Sequence, residues 1–127
     1  MSYYTLGELE VYQLAESFSD EIWNIVLGWD YFAKDTVGKQ MVRSADSISA
    51  NIADGYGRYH YKENKNFCYF SCGSIIETKG WLKKSKNRAL ISEKQFNTLF
   101  EKLQNIHLKL NAYLKFIGKS STVKSDK

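Results

Sequence analysis

The 127-residue chain contains no proline. Because proline breaks helices and serves the turns that sheet proteins need, its absence permits long uninterrupted helices and disfavours an all-β fold. Hydrophobic residues make up 43% and charged residues 25% of the chain, which is typical of a globular domain and unlike a disordered one. We therefore expect one packed domain built from helices.

Apolar residues recur at three- and four-residue steps in four segments, which is the spacing of helices with one buried face. The predicted core stripes are Val11, Ala15, Phe18, Ile22, Ile25 and Trp29; Val37, Met41, Ala45, Ile48, Ile52 and Tyr56; Phe67, Phe70, Ser71, Ser74, Ile75, Thr78 and Leu82; and Leu99, Leu103, Ile106, Leu110, Tyr113 and Ile117. Short connections between helices of similar length favour an all-α, antiparallel up-down-up-down four-helix bundle.

Local signals predict where the second and third helices begin, end and pack. Asp35 or Thr36 is expected to cap the second helix, and Gly55-Tyr56-Gly57 to end it with a glycine at positive φ. The run Ser71-Cys72-Gly73-Ser74 has little side-chain bulk, so another helix is expected to approach the third helix closely there. Gly73 and Gly80 each cost about 1 kcal/mol of helix propensity relative to alanine.

The fourth helix has the clearest start signal in the chain. Ser92 and Gln95 predict a capping box, with Ile91 and Phe96 as a hydrophobic staple. Gly118 is expected to end this helix. The domain is therefore predicted to span residues 1–118, and residues 119–127 to form a polar, disordered tail.

Neither the first residues nor the interior carries a membrane signal. Residues 1–6 have no basic start or apolar core, and no stretch of 18 apolar residues is present. We expect a cytoplasmic protein with no membrane partner.

The reactive side chains suggest no catalytic site. Cys68 and Cys72 are one helical turn apart and are predicted to be reduced thiols, although with His60 or His107 they could supply metal ligands. Ser74 could pair with His107 as a nucleophile and its base, but a close-packing serine is the favoured interpretation. We expect no enzyme activity, no cofactor and no metal site.

Charge is unevenly distributed along the chain. Residues 1–58 carry four basic and nine acidic side chains, and residues 59–127 carry fourteen basic and five acidic ones, so the folded bundle should have an acidic and a basic face. A basic face favours nucleic-acid binding, although cations near a helix C-terminus are also favoured by the helix dipole alone. The predicted nucleic-acid-binding residues are Lys79, Lys83, Lys84, Lys86, Arg88, Lys94, Lys102 and Lys109.

Nineteen aromatic residues are more than one small bundle readily buries. Trp23, Leu27 and Tyr31 fall on the flank of the first stripe, and Tyr59 and Tyr61 lie near the second connection. Such an excess indicates a partner surface, and a second copy of the chain is the simplest partner.

The second and third helices carry a specific pattern, which is Arg43-Ser-Ala-Asp-Ser-Ile-Ser-Ala-Asn-Ile-Ala-Asp-Gly-Tyr-Gly-Arg58 followed by Phe67, Gly73-Ser74 and Glu77. The chain resembles the bacterial four-helix-bundle family encoded in intervening sequences of 23S ribosomal RNA genes, over about residues 9–118. Two departures are Ser49, where the family usually has proline, and Asp54, where it usually has glutamate.

The resemblance carries expectations about assembly. A related branch, the accessory variability protein of diversity-generating retroelements, forms a homopentamer, binds nucleic acid and partners a reverse transcriptase, so a homo-oligomer, with a pentamer favoured, is implied here. Among the matching residues, Arg43 and Asn51 lie on nearly the same side of one helix, and Glu77 could accept their hydrogen bonds in an internal or interfacial polar network. Arg58 could cap carbonyls or meet a neighbouring subunit.

Two functions follow from these features. The first is a non-enzymatic homo-oligomer that binds the RNA or DNA backbone through its basic face. The alternative is a protein-interaction scaffold or accessory subunit that docks a polymerase-like partner.

Overall fold

Four long helices account for most of the computed structural model, which describes residues 6–125, without the side chains of Glu8 and residues 119–125. The helices are α1 (Glu10–Leu27), α2 (Lys39–Tyr56), α3 (Tyr61–Asn87) and α4 (Glu93–Ser125). A 3₁₀ turn, Leu6–Glu8, precedes α1, and residues 6–125 include no β-strand. None of the described helices is both long enough and apolar enough to cross a bilayer.

The helices form a closed antiparallel bundle. Helices α1 and α3 each pack against both α2 and α4. In the α2–α3 interface, Thr78 Oγ1 donates to Ser44 Oγ (2.8 Å), and Ser85 Oγ lies 3.8 Å from Met41 Sδ. Later residues of α3 therefore face earlier residues of α2. The predicted up-down-up-down four-helix bundle is confirmed.

The apolar stripes of α1, α2 and α4 meet at the centre of the bundle. Their buried members include Val11, Ala15, Phe18, Ile22, Met41, Ala45, Ile48, Ile52, Leu99, Leu103, Ile106 and Leu110. Full burial of one large aliphatic side chain stabilises the fold by about 1.5–3 kcal/mol. On α1 the stripe ends with buried Val26, whereas the predicted Ile25 and Trp29 are half-buried at its edge.

Helix α3 buries two stripes with a seven-residue period. One is polar or small, namely Asn64, Ser71, Thr78 and Ser85, and the other is apolar, namely Cys68, Ile75 and Leu82. This heptad spacing is the one that lets two helices stay in contact along their length. The prediction that Phe70 belongs to the core is wrong, because Phe70 lies outside both stripes and is 57% exposed.

Helices α2 and α3 approach each other closely at Gly55. A Cβ atom there would lie 2.6 Å from Asn64 Oδ1 and 2.9 Å from Phe67 Cβ. At Gly73 and Gly80, by contrast, a Cβ atom would meet nothing within 4 Å. The small-residue run of α3 therefore receives α2 through buried Ser71, whose hydroxyl donates to Ile48 O, and Gly73 takes no part in this contact.

The helical segment that leads into α2 begins earlier than the sequence predicted. Asp30, not Asp35 or Thr36, is the cap, and its carboxylate accepts a hydrogen bond from Ala33 N (2.9 Å). An α-helical turn, Tyr31–Ala33, and a π-helical turn, Lys34–Gly38, then join α2 directly. Residues 31–38 are therefore helical, including those before the predicted cap.

The predicted end of α2 at Tyr56 is confirmed, but the predicted backbone conformation is wrong. Gly57 caps the helix with φ −76°, and none of the described glycines has positive φ. Glycine is required at position 55 because a side chain there would collide with α3, and not because of its backbone conformation.

The start of α4 is confirmed and its end is not. Gln95 N donates to Ser92 Oγ and Ser92 N donates to Gln95 Oε1, both at 3.0 Å, which is the capping box. Because Gly118 has no left-handed backbone to stop it, α4 continues to Ser125. The expected helix stop at Gly118 is therefore wrong, and residues 126–127 of the predicted tail lie outside the described residues.

Candidate nucleic-acid interface

The α3–α4 connection is a short, tightly hydrogen-bonded turn. Leu90 N donates to Ser85 O (2.8 Å) and Ala89 N donates to Lys86 O (3.0 Å), which are the two bonds of a Schellman motif. Ala89 occupies the left-handed position of this motif, with φ 58°. The end of α3 and the start of α4 are therefore held in a fixed relation by backbone bonds.

Six of the eight predicted nucleic-acid-binding residues lie around this connection. We call them the basic end, namely Lys79, Lys83, Lys84, Lys86, Arg88 and Lys94. Two of them lie over aromatic rings of α4: Lys86 Nζ is 4.4 Å from the centroid of Phe96, and Lys79 Nζ is 5.1 Å from that of Phe100. These contacts orient two cations at the α3–α4 surface.

The other four members of the basic end are exposed. Lys83, Lys84, Arg88 and Lys94 form no ion pair with any residue that the structure describes. The dipole of α3 favours positive charge at its C-terminus and accounts for part of this cluster. It does not account for Lys94, which follows the N-terminus of α4, where a cation is disfavoured.

The remaining two predicted residues are paired with carboxylates of α1. Lys102 Nζ lies 2.7 Å from Glu21 Oε1, and Lys109 Nζ lies 3.2 Å from Glu10 Oε1. Both pairs join α4 to α1 and are solvent-exposed, so each stabilises the fold by at most about 1 kcal/mol. Both cations therefore have carboxylate partners on α1, whereas the six members of the basic end form no ion pair with the described residues.

Negative charge collects on the opposite side of the bundle, between α1 and α2. Ser49 Oγ donates to Glu16 Oε2 (2.8 Å). Partial burial, followed by the carboxylates of Asp20 and Glu16, raises the pKa of Asp46. The charge asymmetry of the sequence is thus retained in the fold, with acidic residues on α1 and α2 and the basic end where α3 meets α4.

An open groove lies beside the basic end, between α1 and α4. It is lined by Glu21, Asn24, Ile25, Lys94, Gln95, Thr98 and Leu99. Ile25 and Leu99 form an apolar floor and the other five side chains are polar. Lys94 is therefore placed where a ligand on the groove would meet a positive charge.

The four residues of the predicted polar network do not meet within one chain. Asn51 Nδ2 donates to Ser47 O on its own helix, and Glu77 accepts a hydrogen bond from Trp81 Nε1 (3.4 Å). The guanidinium of Arg58 lies 4.7 Å from the centroid of Phe67. Arg43 is exposed on α2 and forms no ion pair with the described residues, so the internal network is wrong and only the interfacial version stays a prediction.

The candidate nucleophiles are occupied in packing. Burial raises the pKa of the Cys68 thiol to about 12, and its sulfur lies 3.8 Å from Asn64 Oδ1. Burial also raises the pKa of Cys72. Ser74 Oγ donates to Phe70 O on its own helix (3.2 Å).

A second exposed feature lies at the start of the segment that leads into α2. Tyr31 is 80% and Phe32 is 77% exposed, and Trp23 and Leu27 of α1 are each 53% exposed. We call these four residues the apolar patch. The flank of the first stripe predicts three of them but not Phe32, which directly follows Tyr31 and the Asp30 cap.

Comparisons with known proteins identify the fold family. The sequence profile of the 23S rRNA-intervening sequence protein family matches residues 7–112. This chain belongs to that family. A 1.70 Å crystal structure of a protein of unknown function from the S23 ribosomal protein family of Bacteroides thetaiotaomicron has the same fold, with a TM-score of 0.74. The likeness covers 83% of this chain and 98% of that one, at 22% sequence identity. No curated protein matches.

Membership of the 23S rRNA-intervening sequence protein family gives the motif of α2 a structural meaning. Ile48 and Ile52 are fully buried, and Gly55 admits α3. Ser49 anchors α2 to Glu16 of α1. Packing therefore explains the buried members of the pattern that carries the resemblance but not exposed Arg43 and Arg58, and the basic end lies outside the pattern.

Proposed function

We propose that this 23S rRNA-intervening sequence protein binds the sugar–phosphate backbone of RNA or DNA through its basic end, and that its role is binding rather than catalysis. The observation that supports the proposal is the exposure of Lys83, Lys84, Arg88 and Lys94 without ion-pair partners among the described residues. Cations that are free to meet phosphates release condensed counterions on binding, which drives association. Cations already paired with carboxylates contribute less.

Low sequence specificity follows from this arrangement. Lysine and arginine side chains reach phosphate oxygens without reading base edges, and such contacts position a protein without selecting a sequence. We therefore expect similar affinity for an RNA hairpin and a DNA duplex of equal length. Affinity should fall steeply with salt.

Two double variants test the proposal at equal net charge. Lys83→Ala with Lys84→Ala removes two unpaired cations, and Lys102→Ala with Lys109→Ala removes two cations paired with α1. In fluorescence anisotropy with a labelled duplex at about 50 mM salt, the first variant should weaken binding about tenfold or more and the second much less. Equal losses in the two variants, or no binding by the wild type, would contradict the proposal.

Self-association is the second part of the proposal. The apolar patch offers Trp23, Leu27, Tyr31 and Phe32, and large apolar residues of this kind form the centres of protein interfaces. We propose a homo-oligomer, with the pentamer as the expected count. The double variant Trp23→Ser with Leu27→Ser should dissociate the oligomer, which sedimentation equilibrium would detect as a lower molar mass. A molar mass equal to that of the wild-type oligomer would show that the apolar patch is not the interface.

The apolar patch also supports the alternative function, a scaffold for a polymerase-like protein. This function requires the patch to stay free in the assembled oligomer. An oligomer that survives Trp23→Ser with Leu27→Ser, together with wild-type protein that binds no nucleic acid at low salt, would favour the scaffold.

A further inference from the structure

The α2–α3 connection carries a run in which cations and aromatic rings are interleaved. Residues 58–62 are Arg58, Tyr59, His60, Tyr61 and Lys62, and all five are exposed. The side chain of Tyr59 is 94% exposed. None of these five side chains belongs to the hydrophobic core, so core packing does not explain why aromatic and basic residues alternate here.

The run has a fixed backbone. Gly57 N donates to Ala53 O (3.2 Å), and Arg58 N donates to Gly55 O (3.0 Å). Beyond the turn, His60 O accepts hydrogen bonds from the first turn of α3. These bonds hold both ends of the connection, so the exposed rings are presented by an ordered segment and lose little backbone entropy when they bind a ligand.

The side chains of the run are oriented by ring contacts. The Arg58 guanidinium lies over Phe67, and the rings of Tyr59 and His60 meet edge to face, with centroids 5.0 Å apart. One turn further along α3, Lys65 Nζ lies 5.8 Å from the centroid of Tyr69. The surface therefore offers aromatic faces with positive charge beside them.

The charge around the run is positive. Arg58, Lys62 and Lys65 outnumber the nearby carboxylates of Asp54 and Glu63. Lys115 of α4 is exposed at the same end of the bundle, because Asn64 of α3 bonds to Tyr113 two residues before it (3.2 Å). An anionic ligand is therefore favoured over a cationic one.

We propose that this run binds single-stranded nucleic acid by stacking an unpaired base on Tyr59, with Arg58 and Lys62 meeting the adjacent phosphates. In a duplex the base faces are covered by their neighbours, so an exposed ring stacks on unpaired bases. The proposal rests on the proposed nucleic-acid binding and names its substrate class. About 25 Å of α3 separates Lys62 from Lys79, the nearest member of the basic end on this helix, at 1.5 Å per residue, so the two surfaces are distinct.

A matched pair of variants tests the stacking. Tyr59→Leu removes the aromatic face and keeps an apolar side chain, whereas Tyr59→Phe keeps the face. In anisotropy with a labelled oligo(U) of about twenty nucleotides, Tyr59→Leu should weaken binding about fivefold or more and Tyr59→Phe less than about twofold. Because the side chain is almost wholly exposed, circular dichroism and melting temperature should match the wild type for both variants.

A duplex probe separates this inference from the proposed function. Tyr59→Leu should leave duplex binding unchanged, while Lys83→Ala with Lys84→Ala weakens it. Wild-type affinity of Tyr59→Leu for oligo(U), with duplex binding intact, would overturn the inference alone and leave the run as a protein-binding surface. If the wild type binds neither oligo(U) nor the duplex, both the stacking inference and the proposed function are overturned.

Photo-crosslinking locates the contact. Trypsin cleaves after Arg58 and Lys62 and releases residues 59–62 as a tetrapeptide. After irradiation with an oligo(U) that carries 5-iodouridine, mass spectrometry should find the nucleotide on this tetrapeptide. Crosslinks confined to other peptides would contradict the inference.

Discussion

Replacement of Gly55 by alanine is expected to destabilise the fold, although alanine is the better helix former. The new Cβ would lie 2.6 Å from Asn64 Oδ1, 2.9 Å from Phe67 Cβ and 3.0 Å from Asn64 O. Carbon atoms normally pack about 3.5–4.0 Å apart, so α2 and α3 must separate by roughly 0.5–1 Å. The amide of Asn64 can rotate away, but its carbonyl and the Phe67 Cβ cannot.

The magnitude follows from opposing contributions. Overpacking of a close interface costs about 1–3 kcal/mol, and displacement of Asn64 from its hydrogen bond to Tyr113 costs about 1 kcal/mol more. The gain in helix propensity from glycine to alanine offsets about 1 kcal/mol. We therefore expect Gly55→Ala to lower the free energy of unfolding by about 1–3 kcal/mol.

Gly73→Ala is the matched control. A Cβ at this exposed position meets nothing within 4 Å, so only the propensity gain remains. The control should raise the free energy of unfolding by up to about 1 kcal/mol. Urea unfolding followed by circular dichroism at fixed protein concentration measures both variants. A Gly55→Ala protein as stable as the wild type would refute the close approach of α2 and α3.

Three further predictions follow from the described side chains and backbone. Ala89→Gly should stabilise the fold by about 0.5–1 kcal/mol in urea unfolding, because glycine removes the strain of a left-handed residue; a loss of stability would contradict the Schellman geometry. The raised pKa of Asp46 means that the folded state binds this proton more tightly than the unfolded chain, so ionised Asp46 destabilises the fold. Asp46→Asn should therefore be more stable than the wild type at neutral pH, and this gain should vanish as the pH falls below the ordinary aspartate pKa of 3.8; an equal gain at both pH values would argue against the shift. Cys68, with its pKa raised to about 12, should react with iodoacetamide only as the protein unfolds, and prompt alkylation of the native protein would disagree with its burial.

The features that the sequence predicted correctly are local or periodic. The stripes of α1, α2 and α4 repeat at helical spacing, so the buried residues could be named before their partners were known. The capping box of Ser92 and Gln95 is complete within four residues. The family pattern agrees with the stripe of α2, because Ala45, Ile48 and Ile52 belong to both.

The features that the sequence did not predict depend on contacts between distant residues. Glycines of α2 and α3 look alike along the chain, yet Gly55 meets Asn64 and Phe67 while Gly73 faces open space. Asp30 and Asp35 are both plausible caps, and the π-helical turn that favours Asp30 has no simple residue pattern.

The candidate site shows the same limit. Lysines 79–109 form one basic series in the sequence, but Glu21 lies 81 positions from Lys102 and neutralises it across the bundle. Which cations remain unpaired therefore depends on the order of the helices around the core. Of the eight predicted residues, only the six of the basic end form no ion pair with the described residues.

The most direct test of the central claim is the salt dependence of duplex binding for the wild type and for Lys83→Ala with Lys84→Ala. Each phosphate contact contributes about 0.9 to the slope of log affinity against log salt concentration, so this variant should lose about 1.8 of the wild-type slope. Lys102→Ala with Lys109→Ala should keep the wild-type slope. Parallel lines for the wild type and Lys83→Ala with Lys84→Ala would show that these lysines meet no phosphate and would contradict the assignment of the basic end.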